Sequence, residues 1–145
     1  YRWCRKYWIT FSKKTINIAY MNSECLFCNI PQERIVLEND LAYAVRDGFP
    51  VTKMHSIIIP KRHIKDYFDL NKDELLACDH LIRSLKEEIN NSDSSVNGFN
   101  IGMNAGESAG QTIFHCHIHL IPRRTGDVDN PRGGVRHTIP GKGYY

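Results

Sequence analysis

The chain has 145 residues, 41% of them apolar and 24% charged, with a formal net charge of +3 at pH 7. That is enough for one domain with a core of its own, so no disulfide support is needed. The positive balance does not indicate nucleic acid: residues 1–20 carry Arg2, Arg5, Lys6, Lys13 and Lys14 and no acid, which leaves 14 basic against all 16 acidic residues from Met21 onward.

Five cysteines (Cys4, Cys25, Cys28, Cys78, Cys116) form an odd, scattered set, unlike a secreted disulfide framework. A reducing, cytoplasmic setting is expected. No apolar run is long enough to span a bilayer, and residues 7–11, interrupted by Thr10, are too short for a signal-peptide core. Neither a membrane nor a nucleic-acid partner is expected. Residues 1–20 read as a non-native or upstream-translated extension, a targeting or surface-binding arm, or an added edge strand. The first reading is preferred, which makes residues 21–145 the domain.

Cys25 and Cys28 can grip one metal ion, act as a redox pair, or sit buried as small apolar groups. The redox reading needs a βαβ setting, and Pro31 followed by short strand-like runs does not supply it. Residues 34–38 and 41–45 read as a hairpin turning at Asn39 and Asp40. Arg46 to Pro50 then break the pattern. The β-branched residues 56–59 form a buried strand closed by Pro60, with His55 and His63 at its two ends.

Residues 71–89 are the long helix: Asn71 caps it, Glu74 stands three residues on, and Leu75, Cys78, Ile82, Leu85 and Ile89 recur at helical spacing. His80 falls off this stripe and reads as solvated. Residues 90–97 form a loop, and residues 99–103 alternate as a strand. The small-residue stretch 104–112 contains Asn104, Gly110, Gln111 and Thr112; it reads as a plain hairpin loop or as a cradle of backbone N–H groups for phosphate.

In residues 113–122, His115, His117 and His119 alternate with Cys116, Ile118 and Leu120. A strand sends successive side chains to opposite faces, so three imidazoles share one face and apolar groups the other. Residues 123–145 hold five Gly, two Pro and five basic residues, Arg123, Arg124, Arg132, Arg136 and Lys142. They read as an irregular, loosely held tail, with an arm reaching substrate phosphates as the alternative.

Aligned imidazoles allow a facial metal set or direct nucleophilic work on a substrate. The adjoining phosphate-type loop and the lack of a carboxylate in the strand favour the second. With an unperturbed pKa of ~6.5, imidazole is largely unprotonated and nucleophilic near neutral pH.

The segment His115-Cys116-His117-Ile118-His119-Leu120-Ile121 resembles the HxHxHxx signature of the histidine-triad (HIT) superfamily of nucleotide hydrolases and transferases. The resemblance extends through Asp47, the run from His55 to His63, Asn104 and Gly110-Gln111-Thr112. It implies an α+β meander: an antiparallel sheet of about five strands with one long and one short helix, paired as a two-fold homodimer. It also implies that His117 attacks the α-phosphorus of a nucleotide. His119 and His55 would then orient the phosphate oxygens, while Asn104, Gln111 and Thr112 supply further donors and Gly110 lines the substrate site. Asp47 corresponds to the carboxylate that accepts ribose hydroxyls, and Val45 and Phe49 to walls of a base pocket.

A zinc-bearing branch of the family implies one more set: Cys25, Cys28, His63 and His115, closed and tetrahedral and therefore structural. No catalytic cofactor is implied. Gln111-Thr112 and Pro122-Arg123-Arg124, with Gly126-Asp127, resemble the branch that cleaves dinucleoside polyphosphates, although residues 131–136 match neither prototype. The implied activity is hydrolysis of diadenosine-tetraphosphate-like nucleotides. The alternatives are nucleotidyl transfer or phosphorolysis, phosphoramidate hydrolysis, and a nucleotide-binding regulatory module without turnover.

Overall fold

The computed structural model describes residues 25–145; the three readings of residues 1–20 concern a segment outside the described residues. One antiparallel sheet carries β1 (Ile35–Glu38), β2 (Ala42–Arg46), β3 (Ser56–Pro60), β4 (Val96–Gly102) and β5 (Ile118–Arg124), in the spatial order β1-β2-β3-β5-β4. A single long helix, α1 (Lys72–Ser92), crosses one face. The remaining helical pieces among the described residues are short 3-10 helices of three to five residues. No helix among the described residues is long and apolar enough to cross a membrane.

Local chemistry accounts for most boundaries. Asn39 closes the β1–β2 turn by accepting the Leu41 and Ala42 N–H groups, while its amide donates to Ala77 O on α1 at 2.9 Å. Asn71 and Glu74 form the reciprocal capping box at the start of α1. The buried stripe differs from the expected one: Glu74, Cys78, Leu81, Leu85 and Ile89 face inward, Ile82 packs in part, and Leu75 is exposed. The helix is rolled because Glu74 turns in to bind Arg62 through two bonds, at 2.6 and 2.7 Å. His80 is exposed, as its position off the stripe implies.

The histidine strand begins later than expected. The β3–β5 register runs Ser56↔Leu120, Ile57↔His119, Ile58↔Ile118 and stops there. Pro60 has no N–H to extend a ladder. Residues 113–117 therefore leave the sheet, held by Cys116 N–H donating to Ile64 O at 2.8 Å.

Both sheet faces are covered. Ala42, Ala44, Ile58, Ile118 and Leu120 meet α1, while Tyr43, Val45, Ile57 and Ile59 pack on the other side against Cys25, Phe27 and Cys28. The C-terminal segment is irregular but not loosely held. Arg132 donates to Tyr145 O at 2.8 Å and Arg136 to Gly143 O at 3.2 Å, both cations lie over the Tyr145 ring, and a side chain at Gly133 would collide with the Gly143 carbonyl. Those arginines are committed to the segment's own carbonyls and not to an open phosphate site.

Candidate functional site

Sheet parity assembles the first half of the site. Residues two apart share a face, so Asp47 follows Tyr43 and Val45, and His55 precedes Ile57, on the face away from α1. His119 stands opposite Ile57 on the same face. The neighbours of opposite parity, Arg46 and Ser56, point to α1. There Arg46 donates to Ser56 Oγ and to Glu88 Oε1, each at 2.7 Å, while Glu88 Oε2 is buried without a partner.

His55 Nε2 lies 3.0 Å from His119 Nδ1, and Asp47 Oδ2 is 3.5 Å from His55 Nδ1 and 3.7 Å from His119 Nδ1. The Val51 N–H donates to His55 Nδ1 at 3.3 Å, which assigns the His55 proton to Nε2. His55 Nε2–H then donates to His119 Nδ1, and the neutral His119 ring carries its own proton on Nε2. Burial pushes His119 down to about 4, helped by the His117 and His55 rings and opposed by Asp47. His55 is also lowered, chiefly by burial. Both rings are therefore neutral hydrogen-bonding groups at pH 7.

His117 has a different anchor. Its Nδ1–H donates to His115 O at 2.8 Å, which leaves the Nε2 lone pair unclaimed. Its ring stands edge-on to His119 with centroids 5.2 Å apart.

His115 faces the other way, so the three imidazoles do not converge on one point. Its Nε2–H donates to Pro60 O at 2.8 Å, and its Nδ1 lone pair meets Cys25 Sγ at 3.5 Å and Cys28 Sγ at 3.6 Å. His63 Nδ1 is 3.3 Å from Cys28 Sγ. A tetrahedral zinc with Zn–S of ~2.3 Å and Zn–N of ~2.0 Å requires S···N separations of about 3.5 Å. The four donor atoms, all within 4.8 Å of one another, therefore fit zinc. The His115–Pro60 bond supplies the outer contact that fixes a ligating tautomer. The ligand atoms of Asp47, His55 and His119 are also mutually close, but there the two rings already share a proton.

Other expected residues fall differently. Gln111 is buried and donates to Lys65 O and Ile113 O, while accepting Gly106 N–H at 2.8 Å. The Ala109, Gly110 and Gln111 N–H groups bond inside the same loop. Gln111 therefore clamps the loop and does not offer its amide outward, and this part of the proposed phosphate cradle is internally satisfied. Gly110 adopts φ 87, a left-handed conformation that favours glycine. Asn104 donates to Gly110 O at 3.4 Å, and Thr112 is exposed. Val45 is sealed in the core and Phe49 is 94% exposed, so the two do not form a ready-made base wall.

A cavity of ≈ 700 Å³ shares no lining residue with this chemistry and lies beside the start of β4 and the end of β5; Arg123 there is held by Asp127, and Arg124 by Asp93. The sequence reading missed Phe27, which packs against His117, and Tyr43, whose hydroxyl donates to Phe27 O. Their signal was present: Phe27 lies between the two cysteines, and Tyr43 shares the face of Val45 and Asp47.

Comparison with known proteins identifies the family. A HIT domain is matched over residues 29–126. An uncharacterised HIT-like protein of Saccharolobus solfataricus is 30% identical over 125 residues, covering 83% of this chain and 89% of that protein. The crystal structure of a Zn-bound histidine triad family protein from Mycobacterium smegmatis is similar with a TM-score of 0.65 and 30% identity, covering 72% of this chain and 78% of that one. Plasmodium falciparum diadenosine triphosphate hydrolase gives a TM-score of 0.64 and 26% identity, covering 70% and 68%. With a HIT domain matched over most of its length and a five-stranded antiparallel sheet backed by one long helix, the chain belongs to the HIT family.

Proposed function

We propose that this protein is a nucleotide hydrolase that cleaves dinucleoside polyphosphates at the α-phosphate through a nucleotidyl-His117 intermediate. The observation that carries the reading is the His117 Nδ1–H bond to His115 O, which leaves Nε2 as a free nucleophile beside the His119 donor. Nε2 forms a bond to the α-phosphorus while the P–O bond to the departing nucleotide breaks, and the leaving phosphate retains the electron pair. The ring becomes cationic, and the His115 carbonyl stabilises it by accepting the retained Nδ1–H. His119, its proton held on Nε2 by His55, donates to a phosphate oxygen. Water then attacks phosphorus, the P–N bond breaks, the ring recovers its lone pair and one proton is released to solvent. Asp47 remains the proposed acceptor for ribose hydroxyls, with Asn104, Gly110 and Thr112 near the phosphates.

Cys25, Cys28, His63 and His115 would hold zinc, and a zinc ion bound there supplies cross-linking rather than reaction chemistry. The Plasmodium relative, a diadenosine triphosphate hydrolase, supports the polyphosphate substrate class. β4 is an edge strand with Ile101 half exposed, and it is the place where a second copy would add its own strands to form the homodimer.

The test is incubation with diadenosine tetraphosphate, with and without phosphate, followed by product analysis and acid-free trapping of the protein adduct. Release of AMP without phosphate uptake and an adduct on His117 are expected. No turnover of any dinucleoside polyphosphate, or a His117→Ala variant as active as the parent, overturns the reading.

A further inference from the structure

The loop that carries the two thiols also carries a ring that touches the nucleophile. Phe27 lies inside a single 3-10 turn, Leu26–Cys28, tightened by Cys28 N–H donating to Cys25 O at 3.1 Å. Its side chain is 6% exposed and packs edge-on against His117, with centroids 5.0 Å apart and planes at 67°. It also meets the His115 ring at 6.1 Å. On the backbone side, Tyr43 donates to Phe27 O from β2.

His117 is therefore held on two sides by parts of one unit. Its Nδ1–H is bonded to the carbonyl of His115, a member of the thiolate–imidazole set, and its flank rests on Phe27, whose neighbours on either side lead to Cys25 and Cys28. A ring tethered by one hydrogen bond can still tilt about that bond. An edge-to-face aromatic neighbour restricts the tilt, and such a contact favours one orientation by up to about tenfold.

We infer that Phe27 is a positioning residue for His117, and that closure of Cys25, Cys28, His63 and His115 around zinc seats the Phe27 ring against the nucleophile. Zinc then governs the reaction without touching the nucleotide. The inference rests on His117 being the nucleophile, but its structural half can be measured without turnover.

The test uses the full zinc-loaded chain and a Phe27→Leu variant, which keeps an apolar side chain in the core but removes the ring edge. Ile59→Val, in the same core cluster, controls for lost packing. Zinc content should be the same in all three. In proton NMR, the His117 ring protons should show an aromatic ring-current displacement in the parent and in Ile59→Val, and lose it in Phe27→Leu. Removing zinc from the parent with a chelator should abolish the same displacement, and returning zinc should restore it. In single turnover with diadenosine tetraphosphate, Phe27→Leu should slow adduct formation about tenfold with KM changed less than twofold.

A Phe27→Leu variant with parental ring shifts, or parental shifts after zinc removal, overturns the inference. So does an equal slowing in Ile59→Val. If the parent turns over no nucleotide, the proposed hydrolysis fails while the ring shifts still decide the positioning claim. If chelation unfolds the chain, the zinc-loaded Phe27→Leu spectrum decides it.

Discussion

His115 and His119 stand four residues apart on one segment, and both are largely shielded from water, yet they face different chemistry. His115 turns its Nδ1 to two sulfurs and anchors Nε2 on Pro60 O; His119 turns its Nδ1 to His55, beside Asp47. In each ring the partner of one nitrogen decides what the other nitrogen can do. A carbonyl on Nε2 leaves the Nδ1 of His115 able to accept a metal. A donor on Nδ1 makes His119 a donor through Nε2. What each imidazole can do follows from its hydrogen-bond partner rather than from its place in the repeat.

The sharpest way to break this contrast is at the residue between them. His117→Ala should lower the rate of nucleotide cleavage by on the order of 10³-fold or more while zinc content stays at the parental level. Loss of zinc in that variant would mean the two clusters are one. Conversely, Cys28→Ser should lower bound zinc and destabilise the fold by several kcal/mol, read by metal analysis and urea denaturation, because metal binding free energy becomes folding free energy. Unchanged stability on losing zinc would remove the structural role.

Glu74→Ala tests whether bracing outside both clusters matters. It breaks the Arg62 pair and the side-chain half of the capping box together, and should cost about 3 kcal/mol in denaturation with little change in zinc content. The smallest effect concerns pH. The His119 pKa lies at about 4 in the fold, below the ordinary ~6.5, so below pH ~6.5 the unfolded chain binds more protons. Its contribution is complete above that point and is lost as pH falls toward about 4. A His119→Gln variant should lose about 2 kcal/mol less than the parent across that window.

Residues that obey a local rule were legible in the sequence. Asn71 and Glu74 announced the helix start, Asn39 the hairpin, and the isoleucines of β3 a strand buried on both faces. The alternation through Cys116, Ile118 and Leu120 also marked three residues that are buried. What escaped depended on distant partners. β5 begins only at Ile118 because Pro60, more than fifty residues earlier, ends the ladder. The helix stripe rolled toward Leu81 because Glu74 is drawn to Arg62. Gln111 looked like an outward donor, but its amide is spent on Lys65 and Ile113, and Val45 became core because residues 25–28 cover it. Arg132 and Arg136 looked free because their carbonyl partners lie within the same irregular stretch. No periodicity records such pairings.

The two-sided burial of β3 has one more consequence. Amides of a strand covered by a helix on one side and by the thiol loop on the other open only when the whole domain opens, so Ile57, Ile58 and Ile59 should be the last to exchange with deuterium. His55 enters this strand and Pro60, the partner of His115, leaves it. Both clusters are thus mounted on the slowest-opening part of the molecule, so a nucleotide would meet an arrangement already in place before it arrives.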